Sequence, residues 1–397
     1  MVDDKIAVLG TGITAKSVLA FAHKHQIKVV DVEDATLIIA SPGIDPALYP
    51  KTKTPIISDI EWAYRLFQLS NNPPKLIGVT GTNGKSTVTA LISHVCDIPY
   101  AGNIGVPLMN YVGLEEEFPC IVVELSSYQL ETCFDFRADI AVILNISPDH
   151  LGRHKTMDAY INEKKKCFIN QTSDDVLIFN AEDDAVVAMV QDGKGRKVSF
   201  SYQDITDTFN LVKSLVGRHN YLNAAIALKV ASCLNLEADV SFRSLHSFKS
   251  LKHRLEYVCE YQGIRIYNDS KATNPESTII GINAFDDPVW LLCCGDDKGL
   301  NFDTLVDCIR KRVLGVVLFG GISARLGAMI SEQCPNCQLI YADDLKDAIG
   351  KGIHSAKEQD VLLFSPSSSS FDHFNGFEDR GNQFIDGVNT YVETALV

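Results

Sequence analysis

The stretch Gly78–Thr87 reads G-V-T-G-T-N-G-K-S-T. Its glycines let successive backbone N–H groups turn inward around phosphate oxygens. A following helix adds about half a positive charge at its N-terminus. Gly81, Thr82, Asn83, Gly84, Lys85, Ser86 and Thr87 are the candidate nucleotide-binding residues. Lys85 would reach the terminal phosphates, and the Ser86 hydroxyl would ligate magnesium. Val79 stands where the usual pattern has its first glycine. Further on, E-L-S-S-Y-Q-L-E (Glu124–Glu131) and N-I-S-P-D-H (Asn145–His150) each close an apolar run. Glu124 and His150 are thereby expected at one sheet edge beside the phosphate loop, where a carboxylate and an imidazole suit a divalent cation.

Other polar clusters follow. E-K-K-K (Glu163–Lys166) reads by itself as a solvated basic helix face, and Asn220 in G-R-H-N-Y-L-N as a helix cap, with Asn223 one turn on. H-R-L-E (His253–Glu256) leads into a hairpin that ends in N-D-S-K-A-T-N-P (Asn268–Pro275). C-G-D-D-K-G (Cys294–Gly299) and S-P-S-S-S-S-F-D-H-F (Ser365–Phe374) close two later strands, so three strand-end loops carry polar or cationic groups. Near the start, Gly10–Ala15 fits G-x-G-x-x-A, with Asp31 further on, the dinucleotide fingerprint. Ser41–Ile44 is a second loop candidate at that edge.

The elements that must position these groups alternate. Strands are expected at Lys5–Leu9, Ile27–Val32, Ala35–Ala40, Lys75–Val79, Cys120–Leu125, Ile140–Ile146 and Val176–Phe179. Later ones are Val289–Cys294, Leu314–Phe319, Gln338–Tyr341 and Val361–Phe364, with an antiparallel hairpin Leu255–Tyr261/Ile264–Asn268. Helical patterns at Ser86–Val95, Ala159–Ile169, Asn223–Leu234 and Leu345–Ala356 lie between, which predicts an α/β protein with parallel sheets. Breaks at Asn71–Pro74 and near Ser250 divide the chain into 1–72, 73–250 and 251–397.

With 397 residues, 46% hydrophobic and 22% charged, the chain is an ordinary globular protein rather than a disordered one. The net charge of −14 weighs against nucleic-acid binding. No apolar run is long enough to span a membrane and no signal-peptide core is visible, so a cytoplasmic location is expected. The 11 cysteines read as buried small hydrophobes, and Cys334 and Cys337 as a lone C-x-x-C.

Taken in order, G-T-N-G-K-S-T, E-L-S-S-Y-Q-L-E, N-I-S-P-D-H-L, G-R-H-N-Y-L-N-A, H-R-L-E and N-D-S-K-A-T-N resemble the Mur ligases over nearly the whole chain. Y-Q-L-E and D-S-K-A-T-N resemble the branch that adds D-glutamate. The resemblance implies three domains: a Rossmann-like N-terminal one for the UDP substrate, a central P-loop one for ATP, and a Rossmann-like C-terminal one for the amino acid. It implies an ATP-dependent amide ligase acting on UDP-N-acetylmuramoyl-L-alanine and D-glutamate, with two magnesium ions, as a monomer.

By motif position, Lys85, Glu124, His150 and Lys164 resemble the catalytic set. Ser86, Glu124, His150 and Lys164 resemble the metal set, with Lys164 carbamylated (N6-carboxylysine), which reverses the bland reading of E-K-K-K. Asn220, Asn223, Arg254 and Asp269 resemble nucleotide contacts, and Asn103, Ser126 and Gln129 contacts to the muramoyl-alanine part. Lys271, Thr273, Lys298, Ser370, Phe371 and Phe377 fall at amino-acid positions. Ile13, Thr14, Asp31, Ser41, Pro42 and Gly43 fall in the uridine loops. Two departures stand out. Phe371 replaces a smaller apolar residue, and only nine residues separate Asp31 from Ser41, where the family has a further strand and helix. Three other readings remain: a ligase of the same fold that adds a different amino acid or adds glutamate to folate, which Y-Q-L-E and D-S-K-A-T-N disfavour, a P-loop switch that makes no bond, and a nicotinamide dehydrogenase built on Gly10–Ala15.

Overall fold

The computed structural model describes residues 5–205, 215–371 and 373–395. Its sixteen described strands form three sheets. The first holds β1 (Lys5–Leu9), β2 (Lys28–Val29), β3 (Leu37–Ala40) and β4 (Ile56–Ser58), all parallel, in the order β2-β1-β3-β4. The second holds β5 (Lys75–Thr80), β6 (Tyr100–Gly102), β7 (Cys120–Glu124), β8 (Ile140–Ile143), β9 (Val176–Asn180) and β10 (Arg196–Phe200). Its order is β10-β9-β8-β5-β7-β6, again all parallel. The third holds β11 (Glu256–Tyr261), β12 (Ile264–Asn268), β13 (Val289–Cys294), β14 (Val313–Leu318), β15 (Gln338–Tyr341) and β16 (Val361–Ser367). They run β11-β12-β16-β13-β14-β15, and only the β11–β12 hairpin is antiparallel.

The central strands β5, β7, β8, β13 and β16 are almost wholly buried, as their largely apolar runs require of parallel strands covered on both faces. Brief expectations are corrected at the edges. β2 spans two exposed residues rather than Ile27–Val32, because the acidic run that follows turns into a single tight turn at Val32–Asp34. β4, β6 and β10 are short or exposed strands that their local patterns did not announce.

Two compact units emerge: Met1–Asp207 with Leu222–Ser247, and Thr208–Tyr221 with Phe248–Val397. The first two sheets share a unit because their cores are continuous, from Ile6, Trp62 and Phe67 to Leu108, Met109 and Ile121. A buried carboxylate reinforces the join. Glu61, on the helix Asp59–Phe67, accepts the backbone N–H groups of Phe134, Asp135 and Phe136 at 3.0–3.2 Å. Such charge-assisted bonds satisfy three amides that would otherwise be costly to bury. Among the described residues no helix is long and apolar enough to cross a membrane. All 11 cysteines are free thiols.

Candidate functional site

β5 runs straight into the phosphate loop, and the helix Lys85–Cys96 begins on its far side. Gly84 caps that helix with φ +85°, a conformation that favours glycine. A Cβ on Gly81 would lie 2.8 Å from the Cβ of Leu144, so the close approach of the next loop also demands glycine there. That neighbouring loop follows β8 and is clipped to the phosphate loop. Asn145 accepts the Asn83 N–H at 2.8 Å through its side chain and the Thr82 N–H at 2.9 Å through its carbonyl. The Thr82 hydroxyl accepts the Ser147 N–H at 3.0 Å and meets the Tyr160 hydroxyl at 3.1 Å. Lys85 folds back, donating to the carbonyls of Gly81 at 2.9 Å and Thr82 at 2.8 Å.

β7 and β8 flank β5, so the residues after all three strands meet at one carboxyl edge. Ligands of open parallel sheets bind at such an edge. Glu124 ends β7 and is 1% exposed. One carboxylate oxygen accepts the Asn103 amide at 2.8 Å; the other is buried with no hydrogen-bond partner. A bare oxygen on a buried carboxylate costs several kcal/mol on the order of a lost charged hydrogen bond, and a bound cation would satisfy it.

Lys164 decides the reading of E-K-K-K. It is 1% exposed, on the helix Met157–Lys165. Its ammonium donates to the Gly81 carbonyl at 2.8 Å and sits 4.7 Å from the Tyr160 ring centre. Burial, with Lys85 nearby, pulls its pKa down to about 7. Lys165 and Lys166, both half-buried, instead pair with Asp192 and Glu163. The solvated-face reading therefore fails for Lys164, and its two neighbours are half-buried and paired.

His150 is exposed, with φ +55°, its ring 4.7 Å from that of Tyr128 and 3.4 Å from the Asp149 carboxylate. Among the described residues no three His, Cys, Asp or Glu side chains are gathered as a ready metal cluster.

Ser126 and Gln129 form a capping box at the short helix Ser127–Leu130, with the Gln129 side-chain oxygen Oε1 accepting from the Ser126 N–H at 3.1 Å. Asn220 is not a cap. It lies inside the helix Arg218–Cys233, bonded to the Val216 carbonyl at 2.8 Å. Asn223 reaches the phosphate loop: a Cβ on Gly84 would stand 3.5 Å from its side-chain oxygen.

In the first sheet, Gly10 closes β1 with φ +116° and packs on Ser41. Gly12 precedes the helix Ile13–Lys24, where Ile13 is 73% exposed and Thr14 half-buried. Asp31 is exposed beyond β2. Ser41, Pro42 and Gly43 form the turn after β3, closed by the Ile44 N–H on the Ser41 carbonyl at 3.0 Å.

The second unit carries its own constellation. Asp269 follows β12 and is buried, accepting the Ser365 hydroxyl at 2.9 Å and the Leu255 N–H at 3.2 Å. Burial pushes its carboxyl up to about 7, against the opposing pull of those bonds and of Arg254. The ammonium groups of Lys271 and Lys298 lie 4.9 Å and 5.6 Å from the ring centres of Phe377 and Phe371. Phe371 is 71% exposed, whereas Ser370 is buried. Thr273 sits partly exposed in the loop before the helix Pro275–Ile282. The loop holding Lys298 is pinned by Arg325, which pairs with Asp297 at 2.6 Å and donates to the Leu300 carbonyl at 2.7 Å.

Sequence reasoning missed Arg325, Asn145 and the wholly buried Arg380. Arg380 donates to the Ser270 hydroxyl at 3.1 Å and to the carbonyls of Ser270 at 2.9 Å and Ser368 at 3.1 Å. The clue to Arg380 was an arginine inside an otherwise amphipathic final helix, three residues after Phe377.

Comparison with known proteins agrees with this architecture. Residues 79–231 match the Mur ligase middle domain, and residues 253–368 match the Mur ligase, glutamate ligase domain. The UDP-N-acetylmuramoylalanine–D-glutamate ligase of Clostridioides difficile strain 630 is 34% identical over 389 residues, covering 90% of this chain and 85% of the relative. The enzyme of the same name from Caldanaerobacter subterraneus subsp. tengcongensis is 35% identical over 381 residues, covering 89% and 83%. The crystal structure of MurF ligase from Thermotoga maritima in complex with ADP shares the fold, with a TM-score of 0.64 at 16% identity across 99% of this chain and 96% of that one. MurF from Acinetobacter baumannii gives 0.63 at 16% identity, across 96% and 90%. Sheet order, phosphate loop and relatives lead to one conclusion: the chain belongs to the Mur ligase family.

Proposed function

We propose that this chain is an ATP-dependent amide ligase that joins D-glutamate to UDP-N-acetylmuramoyl-L-alanine in peptidoglycan precursor synthesis. The observation that carries the reading is the phosphate loop set beside a buried, half-partnered Glu124 and a buried Lys164, in a chain whose relatives bear that activity in their names.

A carboxylate resists attack by an amine, because its charge repels the nucleophile and oxide is a poor leaving group. Transfer of the γ-phosphoryl of ATP to the alanyl carboxylate forms a C–O–P linkage and releases ADP. The D-glutamate amine then adds to the carbonyl carbon, loses a proton, and expels inorganic phosphate. The protein's task is positioning and charge stabilisation. Gly81, Thr82, Asn83, Gly84 and Thr87 present the loop to the phosphates, and Lys85 exchanges two carbonyl partners for phosphate oxygens. Asn220, Asn223, Arg254 and Asp269 serve the nucleotide side.

Magnesium, when bound, would neutralise phosphate charge; Ser86, Glu124, His150 and a carbamylated Lys164 would hold it, two ions in all. Glu124 fits because one buried oxygen awaits a partner. Lys164 fits because an amine with a pKa near 7 is largely neutral in weak alkali. Its lone pair then adds to carbon dioxide, releasing a proton and leaving an anionic carbamate.

Asn103, Ser126 and Gln129 would meet the muramoyl-alanine part. Ile13, Thr14, Asp31, Ser41, Pro42 and Gly43 would line the uridine side. Lys271 and Lys298 would pair with the two carboxylates of D-glutamate, framed by Thr273, Ser370, Phe371 and Phe377. Soluble nucleotide-linked substrates suit a cytoplasmic monomer divided at 72 and 250. Incubation with ATP, magnesium and both substrates, read by mass spectrometry, should yield a product heavier by one glutamyl residue and one phosphate per product. Phosphate release that ignores either substrate would refute the assignment.

A further inference from the structure

Arg153 lies three residues beyond His150, at the end of the one-turn helix Leu151–His154, and its side chain is only 11% exposed. All three of its guanidinium nitrogens donate to two regions of the first unit. On one side Nε donates to Glu131 at 2.9 and 3.1 Å, with Nη2 completing a two-pronged pair. On the other, Nη1 donates to the Pro42 carbonyl at 3.0 Å and Nη2 to the Ile44 carbonyl at 2.9 Å. The plane of the group stacks 4.1 Å from the centre of the Tyr128 ring, whose own neighbour is His150 at 4.7 Å. Only a planar, five-donor fork makes all these contacts together.

The two carbonyls matter for what they do to the loop after β3. In a trans peptide the C=O and the following N–H point in opposite directions. Drawing the Pro42 carbonyl onto Arg153 therefore turns the Gly43 N–H away from the arginine. That N–H has no acceptor among the described residues. A Cβ on Gly43 would meet nothing within 4 Å, so the space around it is open.

We infer that Arg153 is a positioning residue: it holds the Ser41–Ile44 turn so that the Gly43 amide faces an anionic oxygen of the UDP-bearing substrate. It acts through the turn: Nε, Nη1 and Nη2 each donate to protein acceptors. The inference rests on the reading above, in which this turn belongs to the uridine side.

The test is titration calorimetry of the full chain with UDP and, separately, with a non-hydrolysable ATP analogue. Arg153→Ala should weaken UDP binding about tenfold or more while the ATP analogue binds within about twofold of the parent. Arg153→Lys, which keeps the charge and reaches one carbonyl, should fall between. In turnover the same variants should raise KM for the UDP substrate more than they lower kcat. If the parent chain binds no UDP, the functional reading itself fails. If the parent binds UDP and both variants match it, or if UDP and the ATP analogue weaken alike, Arg153 has only a structural role and the inference is overturned. Arg153→Lys keeps the test decisive should Arg153→Ala not fold.

Discussion

Two buried carboxylates end strands in different sheets and are treated differently. Glu124, after β7, has one oxygen bonded to Asn103 and the other bare. Asp269, after β12, has an internal partner on each oxygen, from Leu255 and Ser365. The cations divide in the same way. Lys85 and Lys164 lie folded onto loop carbonyls in the first unit, whereas Lys271 and Lys298 in the second lie beside aromatic rings. The difference teaches that the middle sheet leaves a buried carboxylate oxygen unpartnered, the feature on which the proposed cation site rests. The third sheet satisfies its buried acid internally, with Lys298 exposed and Lys271 half-buried, both placed beside aromatic rings.

The contrast breaks most sharply at the phosphate loop. Lys85→Ala should reduce ATP-dependent product formation by about 10²–10³ or more, the scale of losing a preorganised charge contact. Unchanged phosphate release would remove the loop from the mechanism. Lys164→Ala should cost a similar factor, and short-chain carboxylic acids should restore part of it by supplying the missing anion. Restoration absent in Lys164→Ala but seen in Lys165→Ala would shift the carbamate by one residue.

In the second unit the effects should be smaller. Lys298→Ala should raise KM for D-glutamate about tenfold, roughly 1.4 kcal/mol, with KM for ATP nearly unchanged. An equal rise for ATP would show that the pinned loop, not the charge, was lost. The smallest effect concerns stability. Asp269 has its folded pKa raised to about 7, so between about pH 4 and 7 the folded state binds the extra proton. Its contribution is therefore present at low pH and lost as pH rises through 7, by on the order of a few kcal/mol at most. The melting temperature of Asp269→Asn should fall less than the parent's between pH 5 and 7.5. Identical slopes would mean the carboxyl is not perturbed.

Much of this was legible in the residues. β1, β13 and β15 have the bounds their apolar runs imply, and the phosphate loop announces itself because backbone geometry there depends on glycine at fixed places. Edge strands such as β4 and β6 were not legible, since their pairing comes from neighbours distant in sequence. Asn220 misled for a related reason. A local cap signal was overridden when the helix began two residues earlier, at Arg218.

Local rules, then, determined which segments extend, turn and form the glycine-rich loop, because period, glycine placement and capping act within a few residues. Which of three adjacent lysines is stripped of water, which carboxylate oxygen goes without a partner, and which arginine turns a distant loop were decided only in three dimensions. Burial and dielectric depend on what packs from elsewhere in the chain, and no run of neighbouring residues encodes that.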